Sequence, residues 1–206
     1  MPHFQTAFFD AVFPTENSNK QNYAGYALHT LRMFRLFNQQ KQKGIKNMKI
    51  IGLFGKADQG KTTTLNQVIE KLKQEGGEIK SEVADNGKDR HVCIEYKGKR
   101  ICIATDGDNE PILQRNCDFF DECNRHLHID VAVSATRTRN TTRKVLEQYA
   151  KEQKTRVTWI KKRGSADKEI QTELNNIDTY LVLKNILADI DGNNIAISQS
   201  FQFKIS

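Results

Sequence analysis

The sequence predicts an α/β fold of three layers, with a mostly parallel β-sheet that includes one β-hairpin. Three observations lead to this prediction. Short apolar runs alternate with helical patterns from Met48 onward, as strands and crossover helices do in this class. A glycine-rich segment, residues 55–62, joins the first apolar run to the first helical pattern. Lys97 and Gly98 separate two stretches of alternating apolar residues, which is typical of a hairpin turn.

The predicted elements follow one another in a regular order. A strand at 50–54 leads into the glycine-rich segment and a helix at about 61–75, which ends at Gly76 and Gly77. The remaining elements are an extended stretch at 79–83, a polar loop at 84–91, hairpin strands at 92–96 and 100–105, a helix within 110–126, a strand at 129–135, a helix at about 141–153, a strand at 156–160 and a helix at about 167–188. In the last helix, four apolar residues at helical spacing are expected to face the core: Ile170, Leu174, Ile177 and Leu181.

The chain of 206 residues is expected to divide into an N-terminal extension at 1–47, an α/β domain at 48–190 and a C-terminal tail at 191–206. The extension is rich in Phe and then in Asn, Gln and Lys. Two interpretations stay open for it. It is either an arm, poorly ordered or bound to a partner or a membrane surface, or an upstream segment that is not native because translation starts at Met48.

The net charge of +7 is spread unevenly along the chain. The extension carries six Lys or Arg against two Asp or Glu, which leaves the rest of the chain only mildly basic. Basicity alone therefore indicates nucleic acid only weakly. No apolar run approaches the ~20 residues that a membrane span requires, and the N-terminus is a poor signal peptide, so we expect a cytoplasmic protein.

The four cysteines are expected to be thiols. Cys93 and Cys102 are predicted to face each other across the hairpin as small apolar residues. A second, looser group consists of Cys117, Cys123, His126 and His128. A zinc site is one interpretation of that group, but ordinary helix residues are favoured because no paired C-x-x-C spacing supports a metal.

Residues 55–62 read Gly-Lys-Ala-Asp-Gln-Gly-Lys-Thr. By this G-x-x-x-x-G-K-T motif, set between a strand and a helix, the chain is identified as a member of the P-loop NTPase superfamily. The resemblance implies the three-layer fold of that superfamily, which binds ATP or GTP with Mg²⁺. It implies that Lys61, expected as an exposed charge, reaches the phosphates and that Thr62 holds Mg²⁺. The expected nucleotide-binding residues are Gly55, Lys56, Ala57, Asp58, Gln59, Gly60, Lys61, Thr62 and Thr63.

Such a site also needs a carboxylate at the end of a nearby strand to hold Mg²⁺. The hairpin strand at 100–105 runs into Asp106-Gly107-Asp108, so Asp106 is the first candidate and Asp108 the second. Asp-Gly is also a common turn pair, and both interpretations can hold at once.

The order of loop, helix, hairpin and strand-end Asp resembles the layout of Ras-type GTPases across about residues 48–165. Two of that family's motifs are absent here. Its D-x-x-G would place Gly at the position of Asn109, and its guanine-reading N-K-x-D is replaced by Lys161-Lys162-Arg163. ATP is therefore the expected nucleotide, in preference to GTP.

Lys56, directly after the first glycine, resembles the signature lysine of the ParA/MinD-like dimeric ATPases. That resemblance implies a homodimer in which the lysine reaches the partner's nucleotide. This chain has Ala57 and Asp58 where that family has glycines, so a solvated lysine is the simpler interpretation.

Three arginines follow the strand at 129–135: Arg137, Arg139 and Arg143. Ligands of open α/β sheets bind beyond the carboxyl ends of strands, so these arginines could neutralise charge during phosphoryl transfer. They resemble the basic lid of small P-loop kinases, and Arg137 and Arg139 are counted with Lys61 and Asp106 as candidate catalytic residues. The alternative is a solvated helix start capped by Asn140 or Thr141.

Three functions remain open from the sequence. The first is a regulatory NTPase that hydrolyses ATP and switches a protein partner. The second is a small kinase whose acceptor, a nucleotide or other small molecule, meets Asp85, Asp89 and Arg90. The third is a nucleotide-gated nucleic-acid binder, for which a solvated helix end is the alternative. Its basic residues would be Lys151, Lys154, Arg156, Lys161, Lys162 and Arg163.

Overall fold

The computed structural model describes residues 48–84, 88–138 and 140–188, without the side chain of Asn140. The predicted extension at 1–47 and the predicted tail at 191–206 lie outside these residues. Asp85 and Arg139 lie outside them as well.

Strands and helices alternate along the described residues in the predicted order. They are β1 (Lys49–Gly55), α1 (Lys61–Gln74), β2 (Glu78–Ala84), β3 (Arg90–Tyr96), β4 (Lys99–Ala104), α2 (Glu110–Leu127), β5 (Val131–Arg137), α3 (Asn140–Glu152), β6 (Val157–Lys161) and α4 (Lys168–Leu187). Strand β5 begins two residues later than predicted. Ile129 donates its N–H to the Asn124 side chain at 3.1 Å, so it belongs to the turn that closes α2.

The strands form one six-stranded sheet in the order β2-β3-β4-β5-β1-β6. Strands β4, β5, β1 and β6 are parallel, whereas β3 is antiparallel to both of its neighbours. The predicted mostly parallel α/β sheet is therefore confirmed, and so is the hairpin of β3 and β4, in which Cys93 lies opposite Cys102. Strand β2 adds a second antiparallel pairing at the edge, and β5 lies between β1 and β4.

Helices cover both faces of the sheet and bury two separate apolar cores. Helices α1 and α4 pack on one face, where Leu65 and Val182 join the odd-numbered Ile51 and Leu53 of β1. Helices α2 and α3 pack on the other face, where residues such as Phe120 and Leu146 meet Ile50. The three-layer arrangement follows from strands that are apolar on both faces, as parallel strands are.

The predicted core stripe of α4 is wrong at Ile170 and Ile177, whereas Leu174 and Leu181 are half-buried. Ile170 is 50% exposed and Ile177 is 41% exposed. The buried face instead carries Asn175, Asp178, Thr179, Val182, Leu183 and Ile186. Hydrogen bonds help to fix the orientation of this helix, because Gln171 bonds to the glycine-rich loop and Thr179 bonds to α1. None of the described helices has both the length and the hydropathy needed to cross a membrane.

Candidate functional site

The glycine-rich loop joins the end of β1 to the start of α1 through a left-handed backbone. Asp58 has φ 56° and Gly60 has φ 78°. A Cβ at Gly60 would come within 2.5 Å of the Asn175 amide oxygen, so both the backbone and the space favour glycine there. The loop therefore turns tightly over the first turn of α1, held from below by α4.

The N-terminus of α1 lacks the side-chain cap that α2 and α4 have. Asn109 caps α2 by accepting from the N–H of Ile112 at 3.0 Å, and Asp167 caps α4. Helix α1 starts after Gly60 with no side-chain cap and no acidic residue in its first turn. Its first N–H groups and its positive dipole end are thus left for another acceptor, and an anion is the ligand they favour.

Lys61 lies folded back onto its own loop. Its Nζ donates to the Lys56 carbonyl at 2.8 Å, and its side chain is only 7% exposed, so the expected exposed lysine is a buried one. Burial lowers the pKa of Lys61, while the carboxylates of Asp108 and Asp58 oppose that shift. The Gln59 side chain also bonds within the loop, accepting from the N–H of Lys56 at 2.7 Å.

A cleft of about 320 Å³ opens beside the loop at the carboxyl edge of the sheet. It is lined by Asp58, Gly60, Lys61, Thr62, Thr63, Asp89, Thr105, Asp106, Gly107, Asp108 and Ile112. The cleft brings together most of the expected loop residues and both expected carboxylates. The other four lie outside its lining: Gly55 is buried at the end of β1, Lys56 and Ala57 are exposed, and the Gln59 side chain bonds within the loop.

Thr62 lies against a carboxylate that was expected elsewhere. Its Oγ1 is 3.2 Å from Asp89 Oδ1 and 3.2 Å from the Thr105 carbonyl oxygen. Asp89 was expected in an acceptor pocket with Arg90, but Arg90 turns away to form ion pairs with Glu82 at 2.7 Å and Glu70 at 2.9 Å. Strand pairing explains why Asp89 and Arg90 point to different places. Arg90 is the first residue of β3 and pairs with β2, whereas Asp89 precedes the strand.

Asp106 is the most unusual carboxylate in the cleft. It is 8% exposed, and one oxygen, Oδ2, accepts from Arg115 at 2.9 Å. The other oxygen, Oδ1, is buried and accepts no hydrogen bond from the described residues, with His91 Nε2 at 3.7 Å. Burial raises the pKa of Asp106, although the charges of His91 and Arg115 oppose this. Gly107 lets the turn fit, since a Cβ there would overlap the Ala135 carbonyl.

Sequence reasoning missed a buried polar network beneath Asp106. Asn116 of α2 donates to the Asp106 carbonyl at 2.9 Å and to Ser134 Oγ at 3.0 Å. Because both hydrogens of that amide are used, its oxygen accepts from His91 Nε2 at 2.8 Å, which assigns the proton to Nε2. The only signal in the sequence is that Asn116 lies on the apolar face of α2 with Leu113.

Arg137 and Arg143 make contacts in different places. Arg137 pairs at 2.9 Å with Asp108, which lines the cleft. Their pairing lowers the pKa of Asp108. Arg143 instead lies over the rings of Phe54 and Trp159, with its guanidinium carbon 4.8 Å and 4.4 Å from their centroids, so it is not part of a lid.

The segment after β6 contains a buried ion pair instead of a row of solvated cations. Lys162 is fully buried and donates to Asp178 Oδ2 at 3.0 Å. Arg163 donates to the same carboxylate through Nε at 2.9 Å and NH2 at 2.7 Å. Asp178 of α4 therefore brings a carboxylate to the position after β6, where Ras-type GTPases bind the guanine base. Both of its oxygens already accept hydrogen bonds from Lys162 and Arg163.

Comparison with known proteins adds little to this geometry. The chain matches no protein-family model and no curated protein. The crystal structure of APE1195 aligns with 72% of this chain and 80% of its own length, at 13% sequence identity and a TM-score of 0.34. A likeness this weak supports no conclusion about fold or function.

Proposed function

We propose that the chain is a P-loop NTPase that binds a nucleoside triphosphate with Mg²⁺ in the cleft beside residues 55–62 and hydrolyses it. The observation that carries the proposal is a convergence on one cleft. The uncapped start of α1 and Lys61 offer positive charge and N–H donors to an anion. Opposite them, the buried Oδ1 of Asp106 lies without a hydrogen-bond partner among the described residues.

The residues present fit both the phosphates and the metal ion. Thr62, Asp89 and Asp106 supply only oxygen atoms, which is the donor set that Mg²⁺ prefers. Asp106 Oδ1 has no hydrogen-bond partner among the described residues, so it is available to coordinate the ion. When bound, Mg²⁺ supplies positive charge against the phosphate oxygens. Asp108 lies further out and is paired with Arg137, so we rank it below Asp89 as a metal ligand.

Lys61 has a simple route from its present contact to a phosphate. Its Nζ now donates to a neutral carbonyl, that of Lys56. A phosphate oxygen carries a negative charge that a neutral carbonyl lacks, so exchange of that carbonyl for a phosphate oxygen adds an attraction between opposite charges. The loop thus holds its lysine close to the cleft before the nucleotide arrives.

ATP is the proposed nucleotide in preference to GTP. A guanine-specific pocket needs a carboxylate whose oxygens can accept from the base. The carboxylate that reaches the slot after β6 belongs to Asp178, and Lys162 and Arg163 already occupy it. Adenine, which can be held by stacking and backbone contacts, makes no such demand.

Transfer to an acceptor is a second candidate because a neighbouring cleft shares a wall with the first. This second cleft, of about 320 Å³, is lined by Asp108, Asn109, Glu110, Pro111, Arg137, Thr141 and Thr142. A small molecule there would lie beside Asp108, which also lines the first cleft. Nucleic-acid binding is less favoured, since Lys162 and Arg163 of its predicted basic surface are committed to Asp178. A homodimer or another protein partner remains part of the regulatory proposal.

Incubation with γ-labelled ATP, alone and with a panel of nucleoside monophosphates, separates hydrolysis from transfer. We expect Mg²⁺-dependent release of labelled phosphate, lowered at least about tenfold by Asp106→Asn because a metal ligand is lost. Asp118→Asn is the matched control, since Asp118 is an exposed carboxylate on α2 outside the cleft. Label appearing in a monophosphate would favour the kinase, and equal turnover in both variants would remove Asp106 from the mechanism.

A further inference from the structure

Three cysteines from three separate elements meet beneath the sheet, away from the cleft. Cys93 of β3 and Cys102 of β4 are opposite each other in register, and Cys123 of α2 approaches them from the covering helix. Their three Sγ atoms all lie within 4.8 Å of one another, and all three residues are buried. None of the chain's four cysteines forms a disulfide.

We propose that Cys93, Cys102 and Cys123 form a binding site for a thiophilic metal ion that is coordinated by sulfur alone. The predicted group of Cys117, Cys123, His126 and His128 is not assembled. Cys117 lies outside the trio, and His126 pairs with the exposed Glu122 at 2.9 Å. The sulfur cluster therefore draws one member from that group and two from the hairpin.

The spacing of the sulfur atoms suits a single ion. An equilateral triangle with sides of 4.8 Å places each corner about 2.8 Å from its centre, which is the widest symmetric case that the structure allows. A metal–thiolate bond is about 2.3 Å long, so each sulfur would move inward by about 0.5 Å or less. Small χ1 rotations within the existing core supply a shift of that size.

The three cysteines are thiols that can become metal ligands. A metal ion binds cysteine as the thiolate, so binding at this site requires loss of the thiol protons. Each thiol that becomes a ligand releases its proton to solvent.

The donor set narrows the choice of ion. Among the described residues no His, Asp or Glu atom joins the three sulfurs, so the site has three soft ligands. Structural Zn²⁺ takes four ligands, whereas thiolates also select Cu⁺, for which three sulfurs are sufficient. We therefore expect Cu⁺ to bind more tightly than Zn²⁺, and both ions share the same sulfur chemistry.

An ion at this position would stabilise the part of the sheet next to the buried polar network beneath Asp106. Cys93 lies two residues after His91, and Cys102 lies four residues before Asp106. An ion that binds the folded chain but not the unfolded one raises the free energy of unfolding. Metal binding by the three cysteines does not require nucleotide binding, because the sulfur cluster and the cleft share no residue.

Titration of the reduced, metal-free full chain tests the site. We expect one equivalent of Cu⁺ to be retained against a chromophoric Cu⁺ chelator, with Zn²⁺ bound more weakly. Cd²⁺ should produce a sulfur-to-metal charge-transfer band of one equivalent, and the melting temperature should rise. Equal or tighter Zn²⁺ binding would overturn the assignment of the ion, and absence of the band in the folded chain would overturn the site.

Cys117→Ser provides the matched control because Cys117 is buried in the same core but lies outside the trio. The chain has only four cysteines, so a full band in this variant assigns the ligands to the other three by elimination. Cys123→Ser should weaken binding at least tenfold, with circular dichroism reporting its fold. A band lost in Cys117→Ser, or an affinity unchanged in a folded Cys123→Ser, would contradict the proposal.

Discussion

Two buried aspartates, one beside the end of β4 and one beside the end of β6, meet opposite conditions. Asp178 is 0% exposed, and both of its oxygens accept hydrogen bonds from Lys162 and Arg163. Asp106 is 8% exposed, and within the described part of the chain only one of its carboxylate oxygens accepts a hydrogen bond, from Arg115. Hydrogen bonds within the fold therefore satisfy both carboxylate oxygens of Asp178, but only one of those of Asp106 among the described residues.

The difference separates a structural group from a candidate functional one. A buried polar atom without a partner costs free energy, so the fold gains nothing from leaving Asp106 Oδ1 unbonded. Asp178, in contrast, neutralises two basic side chains next to the loop. We therefore expect Asp178 to govern stability and Asp106 to govern activity, and each of the following experiments tests that division.

The largest expected effect on stability belongs to Asp178→Ala. It would leave Lys162 buried without a counter-charge, and breaking a buried pair in this way lowers the free energy of unfolding by about 3–5 kcal/mol. Urea denaturation followed by circular dichroism measures the change. A further Lys162→Met substitution should restore part of the loss, and a loss below about 1 kcal/mol would show that the pair is not structural.

Arg137→Ala should lower ATP turnover by up to about 10³-fold while affecting ATP affinity much less, because an arginine aimed at the transferred group stabilises charge that develops during reaction. Arg143→Ala is the paired control, since Arg143 packs on Phe54 and Trp159 and lines neither the first cleft nor the second, which Arg137 does line. Steady-state kinetics of both variants gives the comparison. Normal turnover in Arg137→Ala would show that its pairing with Asp108 is only structural.

A smaller effect is expected for the stability of Asp106→Asn. Removal of an incompletely satisfied buried charge should change the free energy of unfolding by less than about 1 kcal/mol, or raise it. The measurement is the same urea denaturation at neutral pH. A loss as large as that of Asp178→Ala would remove the distinction between the two aspartates.

The smallest effects concern pH, and their signs differ between Asp106 and Asp108. Burial raises the pKa of Asp106, so the folded chain takes up that proton first and its destabilising charge is relieved as pH falls through the raised value. The hydrogen bond from Arg137 lowers the pKa of Asp108, so its stabilising contribution is present above the unfolded value and lost as pH falls through the lowered one.

Urea denaturation of the chain, Asp106→Asn and Asp108→Asn between about pH 3 and pH 7 separates the two. As pH falls, the stability of the unsubstituted chain relative to Asp106→Asn should rise, and its stability relative to Asp108→Asn should fall. Two curves with the same slope would contradict the assigned directions.

The features predictable from the sequence are the local ones. The loop at 55–62 was predictable because its motif consists of consecutive residues, and so was the strand end at Asp106, which a local turn pair marks. Alternating apolar residues in the hairpin likewise placed Cys93 opposite Cys102. Local pattern is sufficient for such features because each is formed by neighbours in sequence.

Contacts between distant parts of the chain were not predictable in the same way. The periodicity of α4 predicted Ile170 and Ile177 to lie in the core, but the helix forms hydrogen bonds to the loop and to α1 through other side chains, and these two isoleucines are exposed. No local signal placed Asp89 against Thr62 or brought Cys123 to the hairpin. The order of strands in space, with β5 between β1 and β4, determines those meetings and is not written in any single segment.

Calorimetric titration with Mg²⁺-ATP of the full chain, Lys61→Ala and Lys56→Ala tests the proposed nucleotide site most directly. Both variants remove one positive charge from the same loop, but only Lys61 lines the cleft. We predict one ATP bound per unsubstituted chain, similar affinity in Lys56→Ala, and an affinity lowered by about 10²-fold in Lys61→Ala, since a charge-assisted contact to phosphate is lost. Absence of binding by the unsubstituted chain, or equal affinity in Lys61→Ala, would contradict a nucleotide site at this loop.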